Sequence, residues 1–267
     1  MDFDRLDRRM RVHETLNDAR VLPGMHVVAR IDGRSFTRLT REVHRFEAPF
    51  DARFRDMMIE TVRHLMGSGF RVTLGYTQSD EISLLLAHDE DLFGRKERKL
   101  LSVLAGEASA RFSVELGAPA AFDCRLCLFP NADLVVDYFR WRSEDAHRNA
   151  LNGHCYWALR GTGLDAREAT ARLRGLSVAD KNELLHRVSG TNFNDVPAWQ
   201  RRGVVLRHGS TSVAGRDPRT GGATVAERRT IEVDLSPPMR EGFSALVREL
   251  LGETGSGAEP EAGPAPG

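Results

Sequence analysis

The 267-residue sequence contains little lysine, little cysteine and no long apolar run. Only three of its 38 basic residues are lysine, namely Lys96, Lys99 and Lys181. These three are candidates for sites that need a compact positive charge. Three cysteines do not make a disulfide framework, which favours a reducing compartment. No apolar run approaches the roughly 18 residues of a membrane span, and the N-terminus lacks a signal-peptide pattern, so we expect a cytoplasmic protein without membrane contact.

The sequence also lacks net charge, since 38 acidic residues balance the 38 basic ones. A nucleic-acid site must therefore be a local patch rather than a global field. The residue types of a zinc site are present in Cys124, Cys127, His154 and Cys155. However, residues 122–129 are typical of a strand, in which three-residue spacing points two thiols to opposite faces. We interpret these cysteines as small buried hydrophobic residues.

Acidic residues at the ends of predicted strands are the main functional signal. The apolar run Met25–Ile31 is typical of a strand and is followed by Asp32. Residues 70–86 predict an antiparallel hairpin that carries Asp80 and Glu81 at its tip. If the two elements are neighbours, three carboxylates meet, and such a cluster repels itself unless a cation neutralises it. Oxygen ligands favour Mg²⁺, and two such ions about 3.5–4 Å apart are the usual equipment for displacement at phosphorus.

Structural interpretations of the same residues remain open at this point. An Asp-Gly pair is a common turn, and Ser79-Asp80-Glu81 is also typical of a solvated hairpin tip. Residues 34–37 begin a short predicted helix, whose free N–H groups either bind phosphate or are simply capped. The pairing of two acidic strand ends, both on strongly apolar strands, favours phosphoryl or nucleotidyl transfer.

The order of predicted elements indicates an α+β fold. The elements are an amphipathic helix over residues 2–20 lying on the domain, the strand at 25–31, a helix opened by Pro49 and Asp51 and closed by Gly67, the hairpin at 70–86, a helix at 93–116 and a strand at 122–129. Strand, helix, hairpin, helix and strand form the split β-α-β pattern of ferredoxin-like antiparallel sheets packed by helices. That architecture is the palm of many polymerases and nucleotide cyclases.

The second half of the sequence predicts mainly helices. Gly161 and Gly175 interrupt them, and capping boxes begin at Asp165 and Ser177. Residues 203–207 and 224–235 are typical of a terminal strand pair, separated by a mobile Gly/Ser/Thr/Arg-rich loop at 209–224. Residues 253–267 have almost nothing to bury, so we expect a disordered tail.

Three segments taken together resemble the tRNA(His) guanylyltransferase family, whose members add nucleotides in the 3′-to-5′ direction. They are RIDGRSF at 30–36, QSDEIS at 78–83 and ADKNELL at 179–185. Further agreement extends the resemblance over about residues 25–205, through FDxR at 122–125, H-x-N-x-L at 147–151 and the segment Pro197–Gly203. The resemblance implies a polymerase-like palm at residues 1–137, a tRNA-contacting C-terminal region at 138–252, and a homo-oligomer, usually a tetramer.

The resemblance also implies roles for individual residues. Two Mg²⁺ ions are held by Asp32 and Asp80 with help from the Gly33 carbonyl, and Glu81 matches a further position tied to activity. The implied nucleoside triphosphate site comprises Asp32, Gly33, Arg34, Ser35, Phe36, Thr37, Ser79 and Asp80. Phosphates of the triphosphate or of the tRNA end are contacted by the basic segment with Arg95, Lys96 and Lys99. Implied tRNA contacts are His147, Asn149, Lys181 and Asn182.

The implied reaction has two phosphoryl-transfer steps. ATP first activates the 5′-monophosphate of the tRNA by transfer of AMP, with loss of pyrophosphate. The 3′-hydroxyl of GTP then attacks the activated phosphate, and AMP leaves. The two metal ions lower the pKa of the hydroxyl and stabilise charge on the phosphoryl oxygens.

The sequence departs from the family pattern at a few positions. Where many members have F-x-K-P, Ala48 replaces the lysine that can serve the activating ATP, and His44 or Arg45 are the candidate substitutes. Ala150 and Gly153 replace asparagines beside the H-x-N-x-L motif. These changes favour the guanylyltransferase-like branch, which repairs 5′-truncated tRNAs by templated addition.

Two other functions compete with this one. A palm-fold module that binds nucleotide or RNA without catalysis would have no reason to keep Asp32, Asp80 and Glu81. Nucleotide cyclisation uses the same palm, but it leaves the helical half and its motifs unexplained.

Overall fold

The computed structural model describes residues 2–216, 219 and 223–252. The strands are β1 (His26–Gly33), β2 (Val72–Gln78), β3 (Glu81–Leu86), β4 (Phe122–Phe129), β5 (Val204–Arg216) and β6 (Ala223–Asp234). The helices are α1 (Phe3–Thr15), α2 (Phe36–Arg38), α3 (Ala52–Gly67), α4 (Glu97–Leu116), α5 (Ala132–Gly161), α6 (Ala166–Leu173), α7 (Val178–Ser189), α8 (Ala198–Arg202) and α9 (Glu241–Leu250). A π-helical turn, Leu39–Val43, continues α2, and single 3₁₀ turns lie at Leu92–Arg95 and Phe193–Asp195. No helix within these ranges combines the length and the apolar character that a bilayer crossing needs.

One six-stranded antiparallel sheet organises the molecule, in the order β4-β1-β3-β2-β5-β6. Its first four strands, with α3 and α4 as the two crossovers, form the split β-α-β arrangement that the sequence predicts. The palm-like α+β fold is therefore confirmed. The C-terminal region adds β5 and β6 to the edge formed by β2, so both halves of the chain share the sheet.

The two faces of the sheet are covered by different helices. Val27, Ala29 and Ile31 of β1 pack into the core shared with α3 and α4. Val28 instead packs into the core shared with α5 and α9. Because successive side chains of a strand point to opposite faces, Arg30 and Asp32 lie on the same face as Val28. Helix α5 therefore covers the face that carries Asp32.

The helices follow the sequence expectations closely. Helix α3 buries the apolar stripe Phe54, Met58, Val62 and Leu65, and the predicted capping boxes at Asp165 and Ser177 both form. Cys124 packs against the core on the α3 face of the sheet and Cys127 against the core on the α5 face. The prediction that these two thiols point to opposite faces of the sheet is therefore confirmed. Within the described residues, no three His, Cys, Asp or Glu side chains are grouped closely enough to hold a metal ion.

Two expectations are wrong. Helix α1 does not lie on the domain, since Phe3 is 76% exposed and Met10 48%, and none of its residues is buried. Residues 209–216 are not a loop, because β5 continues to Arg216 and pairs with β6 as far as Ala223. This extension is made by backbone hydrogen bonds and buries few side chains, so an apolar pattern does not reveal it. The predicted tail at 253–267 lies outside the described residues, and so does the middle of the predicted loop, residues 217–218 and 220–222.

Candidate active site

The acidic residues meet at one end of the sheet because of strand register. Asp32 is paired with Glu81 across β1 and β3, and the Gly33 N–H donates a hydrogen bond of 3.1 Å to the Asp80 carbonyl. The β2–β3 turn consists of Ser79 and Asp80, and Ser79 has a left-handed backbone with φ of 53°. The first strand and the hairpin tip are therefore neighbours, as the sequence predicts.

Burial and neighbouring negative charges disfavour the ionised form of both aspartates. Burial, assisted by the nearby charge of Glu81, raises the pKa of Asp32 above its usual value. Burial, and then the charge of Asp32, raises the pKa of Asp80 to about 6. Asp123 of β4 lies opposite Asp32 on its other side and adds repulsion, although it is mainly exposed. A carboxylate held among like charges favours its neutral form unless a cation arrives.

Glu81 differs from the aspartates because two arginines neutralise it. Arg30 of β1 donates a hydrogen bond of 2.5 Å to Oε1, and Arg142 of α5 donates one to Oε2. The Arg142 side chain is only 8% exposed and also lies 3.5 Å from Asp145. Of the three expected carboxylates, Glu81 is therefore the one held by basic partners, although its charge still repels Asp32.

These two carboxylates fit a divalent cation. Asp32 and Asp80 make no ion pair with the basic residues that the structure describes, although both are partly buried. Gly33 follows Asp32 and its N–H bonds the Asp80 carbonyl, and its own carbonyl is the third oxygen that the sequence resemblance names. Two carboxylates and a carbonyl are the all-oxygen set that Mg²⁺ accepts, with water completing its coordination.

The segment after Asp32 is shaped by a buried aromatic ring. Phe36 is 2% exposed and packs with its ring centroid 4.8 Å from Phe122 and 5.1 Å from Phe112. A Cβ on Gly33 would lie 2.5 Å from the Phe36 ring, so only glycine fits there. In the predicted nucleotide site, Phe36 can therefore contribute backbone only. Arg34, Ser35 and Thr37 are exposed at the same end of the sheet.

A cavity of about 270 Å³ opens beside the hairpin tip, between it and α5. One wall is a single stripe of α5, formed by Arg142, Ala146, Asn149, Gly153 and Trp157. The opposite wall includes Arg41, Pro49, Ser79, Asp80 and Glu81. The cavity thus lies between Asp80 and Glu81 of the hairpin and helix α5.

The basic segment lies elsewhere. The guanidinium of Arg95 donates to a set of backbone carbonyls, those of Val21, Leu22, Met25, His88 and Glu90. Since Met25 precedes β1 and Asp32 is its penultimate residue, this segment lies about 23 Å from Asp32 at the usual strand rise. Lys96 pairs with Asp18 at 2.6 Å. Lys99 lies 5.9 Å from the Phe93 ring centre. Within one chain, the structure does not bring these residues to the acidic site.

The fold also places the four predicted tRNA contacts in different parts of the molecule. Asn149 lines the cavity and donates to Asp145 at 3.1 Å. His147 packs edge-on against Phe193, and burial, followed by the charge of Arg201, lowers its pKa. Lys181 and Asn182 lie on α7, which packs against α5.

Sequence reasoning missed two arginines of the site. Arg142 gave no signal, because a single arginine in a charged helix is unremarkable without knowing that α5 covers the Asp32 face. Arg41 donates to the carbonyls of Glu47 and Pro49, on either side of Ala48. The substitutes named from sequence are placed differently, since Arg45 is exposed and His44 stacks near Phe46.

A split β-α-β sheet that presents two aspartates at one end, beside a cavity, is the arrangement of a palm-fold nucleotidyltransferase. The family model for tRNAHis guanylyltransferase matches residues 7–130, and the model for the Thg1 C terminal domain matches residues 133–235. The chain therefore belongs to the tRNA(His) guanylyltransferase family.

Individual relatives agree with this assignment. A Drosophila melanogaster protein named probable tRNA(His) guanylyltransferase is 34% identical over 198 residues, which are 71% of this chain and 69% of that protein. The structure of a bacterial tRNA(His) guanylyltransferase (Thg1)-like protein in complex with ATP matches with a TM-score of 0.73 and 26% identity, over 92% of this chain and 99% of that one. The corresponding GTP complex matches with a TM-score of 0.69 and 26% identity, over 93% and 99%.

Proposed function

We propose that this chain adds nucleotides to the 5′ end of tRNA in the 3′-to-5′ direction, with ATP and GTP as substrates and Mg²⁺ as the metal. The observation that carries the proposal is the convergence of Asp32 and Asp80 beside the cavity. Family membership supports the reaction, and the bacterial relatives in complex with GTP and with ATP support the two nucleotides.

In the first proposed step, an oxygen of the tRNA 5′-phosphate attacks the α-phosphorus of ATP, and pyrophosphate leaves. In the second, the 3′-hydroxyl of GTP attacks the activated 5′-phosphorus, its proton goes to solvent, and AMP leaves. Asp32, Asp80 and the Gly33 carbonyl would hold Mg²⁺, which lowers the pKa of the attacking hydroxyl and stabilises phosphoryl charge. Arg30 and Arg142 bind both oxygens of the Glu81 carboxylate, so Glu81 is not counted among these ligands.

The C-terminal region, residues 138–252, is proposed to contact the tRNA. Asn149 is the strongest candidate, because it lines the cavity with Asp80. Ala150 is buried and Gly153 lines the same cavity, so neither supplies the polar side chain that asparagine would. We therefore propose broad 5′-end repair of truncated tRNAs rather than strict recognition of tRNA(His).

One assay separates these functions. The protein is incubated with ATP, labelled GTP and Mg²⁺, and with either 5′-monophosphorylated tRNA(His) or a 5′-truncated tRNA. Label in both RNAs is expected and indicates templated repair, whereas label in tRNA(His) alone indicates the dedicated enzyme. Label in neither contradicts the proposed function and favours a binding module.

A further inference from the structure

Arg41 occupies an irregular turn of the chain. It lies in the π-helical turn Leu39–Val43, where the His44 N–H donates to the Leu39 carbonyl at 3.0 Å. A π turn contains one residue more than an α turn, and such turns are frequent at functional sites. The irregularity directs Arg41 towards α5, whereas Arg38, one turn earlier, is 77% exposed.

The Arg41 guanidinium is held in place by neutral groups. Nη2 donates to the Pro49 carbonyl at 3.0 Å and Nη1 to the Glu47 carbonyl at 3.3 Å. Its central carbon lies 4.9 Å from the ring centre of Trp157, a cation–π contact. These three contacts fix the side chain between the palm and α5 and leave its charge uncompensated.

The neighbouring arginines have anionic partners. Arg30 and Arg142 are both bound to Glu81. Arg41 has no carboxylate within 4 Å among the residues that the structure describes, and burial lowers its pKa. A partly desolvated cation without a counter-ion is costly, and an anionic ligand removes that cost.

The position of this cation suits a phosphate ligand. Arg41 and Asp80 line the same cavity of about 270 Å³, together with Ser79 at the hairpin tip. A planar guanidinium with free N–H groups binds phosphate oxygens with defined geometry. The cavity therefore places an anion-binding group and the Asp80 carboxylate around one space.

We propose that Arg41 binds a phosphate group of a reactant in this cavity. The identity of that phosphate rests on the proposed function: it belongs either to the triphosphate of a nucleotide or to the 5′-phosphate of the RNA. Arg41 also lies beside Ala48, which replaces the lysine of the family pattern. It donates to the carbonyls of the residues on both sides of Ala48. It is thus a cation that this segment can offer to a phosphate.

The test compares Arg41→Gln with the matched control Arg38→Gln. Glutamine keeps a polar side chain with an amide donor but removes the charge, and both variants lose one positive charge from the same segment. Equilibrium binding is measured for ATP and for GTP with Mg²⁺, and for tRNA with a 5′-phosphate and with a 5′-hydroxyl. Thermal unfolding of both variants checks that they are folded, and Arg41→Lys provides a folded, charged alternative.

Loss of a charged hydrogen bond weakens binding by about 10- to 100-fold. Weaker nucleotide binding by Arg41→Gln assigns Arg41 to the triphosphate. Loss of the preference for 5′-phosphorylated over 5′-hydroxyl tRNA assigns it to the RNA end. Arg41→Lys should recover part of whichever affinity is lost. If Arg41→Gln binds every probe as Arg38→Gln does, the proposal is overturned. These measurements need no turnover, so they stand apart from a failure of the nucleotide-transfer assay.

Discussion

Arg142 of α5 donates a hydrogen bond to Glu81, the first residue of β3 and the neighbour of Asp80. Arg30 holds the other oxygen of the same carboxylate at 2.5 Å. A helix of the C-terminal region is thereby fastened to the palm directly beside the aspartates. The geometry of the site depends on this contact between the two halves of the chain.

Arg142→Met should destabilise the protein by about 1–3 kcal/mol, because it leaves the partly buried Glu81 with one partner instead of two. The released charge lies next to Asp32, so we also expect nucleotide transfer to slow by about 10- to 100-fold. Urea unfolding and steady-state kinetics measure the two effects.

The double variant Arg142→Met/Glu81→Gln should be more stable than Arg142→Met, because the unpaired carboxylate is gone. Arg148→Met is the matched control, since Arg148 lies on the same helix but its side chain is 71% exposed. Its loss should cost no more than about 1 kcal/mol. Equal costs for Arg142→Met and Arg148→Met would contradict the structural role of Arg142.

Gly33→Ala should be destabilising by about 1–3 kcal/mol, because the new Cβ overlaps the buried Phe36 ring. Movement of that ring also displaces the segment after Asp32, so activity should fall. Gly106→Ala in α4 is the control, since nothing lies within 4 Å of its Cβ position, and it should stabilise by about 0.5–1 kcal/mol. Thermal unfolding distinguishes the two, and a Gly33→Ala protein as stable as the wild type would refute the steric account.

The stability of the protein should fall in mild acid partly because of His154. Its Nε2 lies 2.9 Å from the Gln200 side-chain oxygen, and burial lowers its pKa. As pH falls below about 6.5, the unfolded chain takes up this proton before the folded protein does, so the stability present at higher pH is lost.

The free energy of unfolding of wild type and His154→Gln should be compared at pH 8 and pH 5.5. The wild type should lose more stability than the variant between these values, because other titrating groups affect both proteins alike. Identical losses would show that His154 is not held neutral by the fold.

Mg²⁺ should raise the unfolding temperature of the wild type but not that of Asp80→Asn. The cation relieves repulsion between Asp32 and Asp80 and binds only the folded state. Without metal, Asp80→Asn should be at least as stable as the wild type, because the substitution removes a strained charge. An equal Mg²⁺ response in both proteins would place the ion elsewhere.

The palm could be predicted from sequence because its strands are apolar and bounded by clear turns. The same pattern therefore predicts the acidic strand ends at Asp32 and Asp80. Charge compensation could not be predicted, because Arg142 lies 61 residues from Glu81 in the chain. The position of the basic segment was missed for a similar reason: residue types alone do not indicate at which end of β1 helix α4 begins.

Weakly apolar elements were the other source of error. Helix α1 has the amphipathic pattern of a packed helix, yet the described structure gives its apolar side chains nothing to pack against. The outer part of β5, residues 209–216, is polar and glycine-containing, so only its backbone pairing with β6 makes it a strand. Arg41 became apparent only because the π turn and the Trp157 contact fix its direction.

The incorporation of labelled GTP into 5′-monophosphorylated tRNA, with ATP and Mg²⁺, tests the central claim most directly when wild type, Asp32→Ala and Asp80→Ala are compared. The metal-holding role of the two aspartates predicts that each variant remains folded but loses activity by about 10²–10³-fold or more. Near-normal incorporation by either variant would contradict the assignment of the active site.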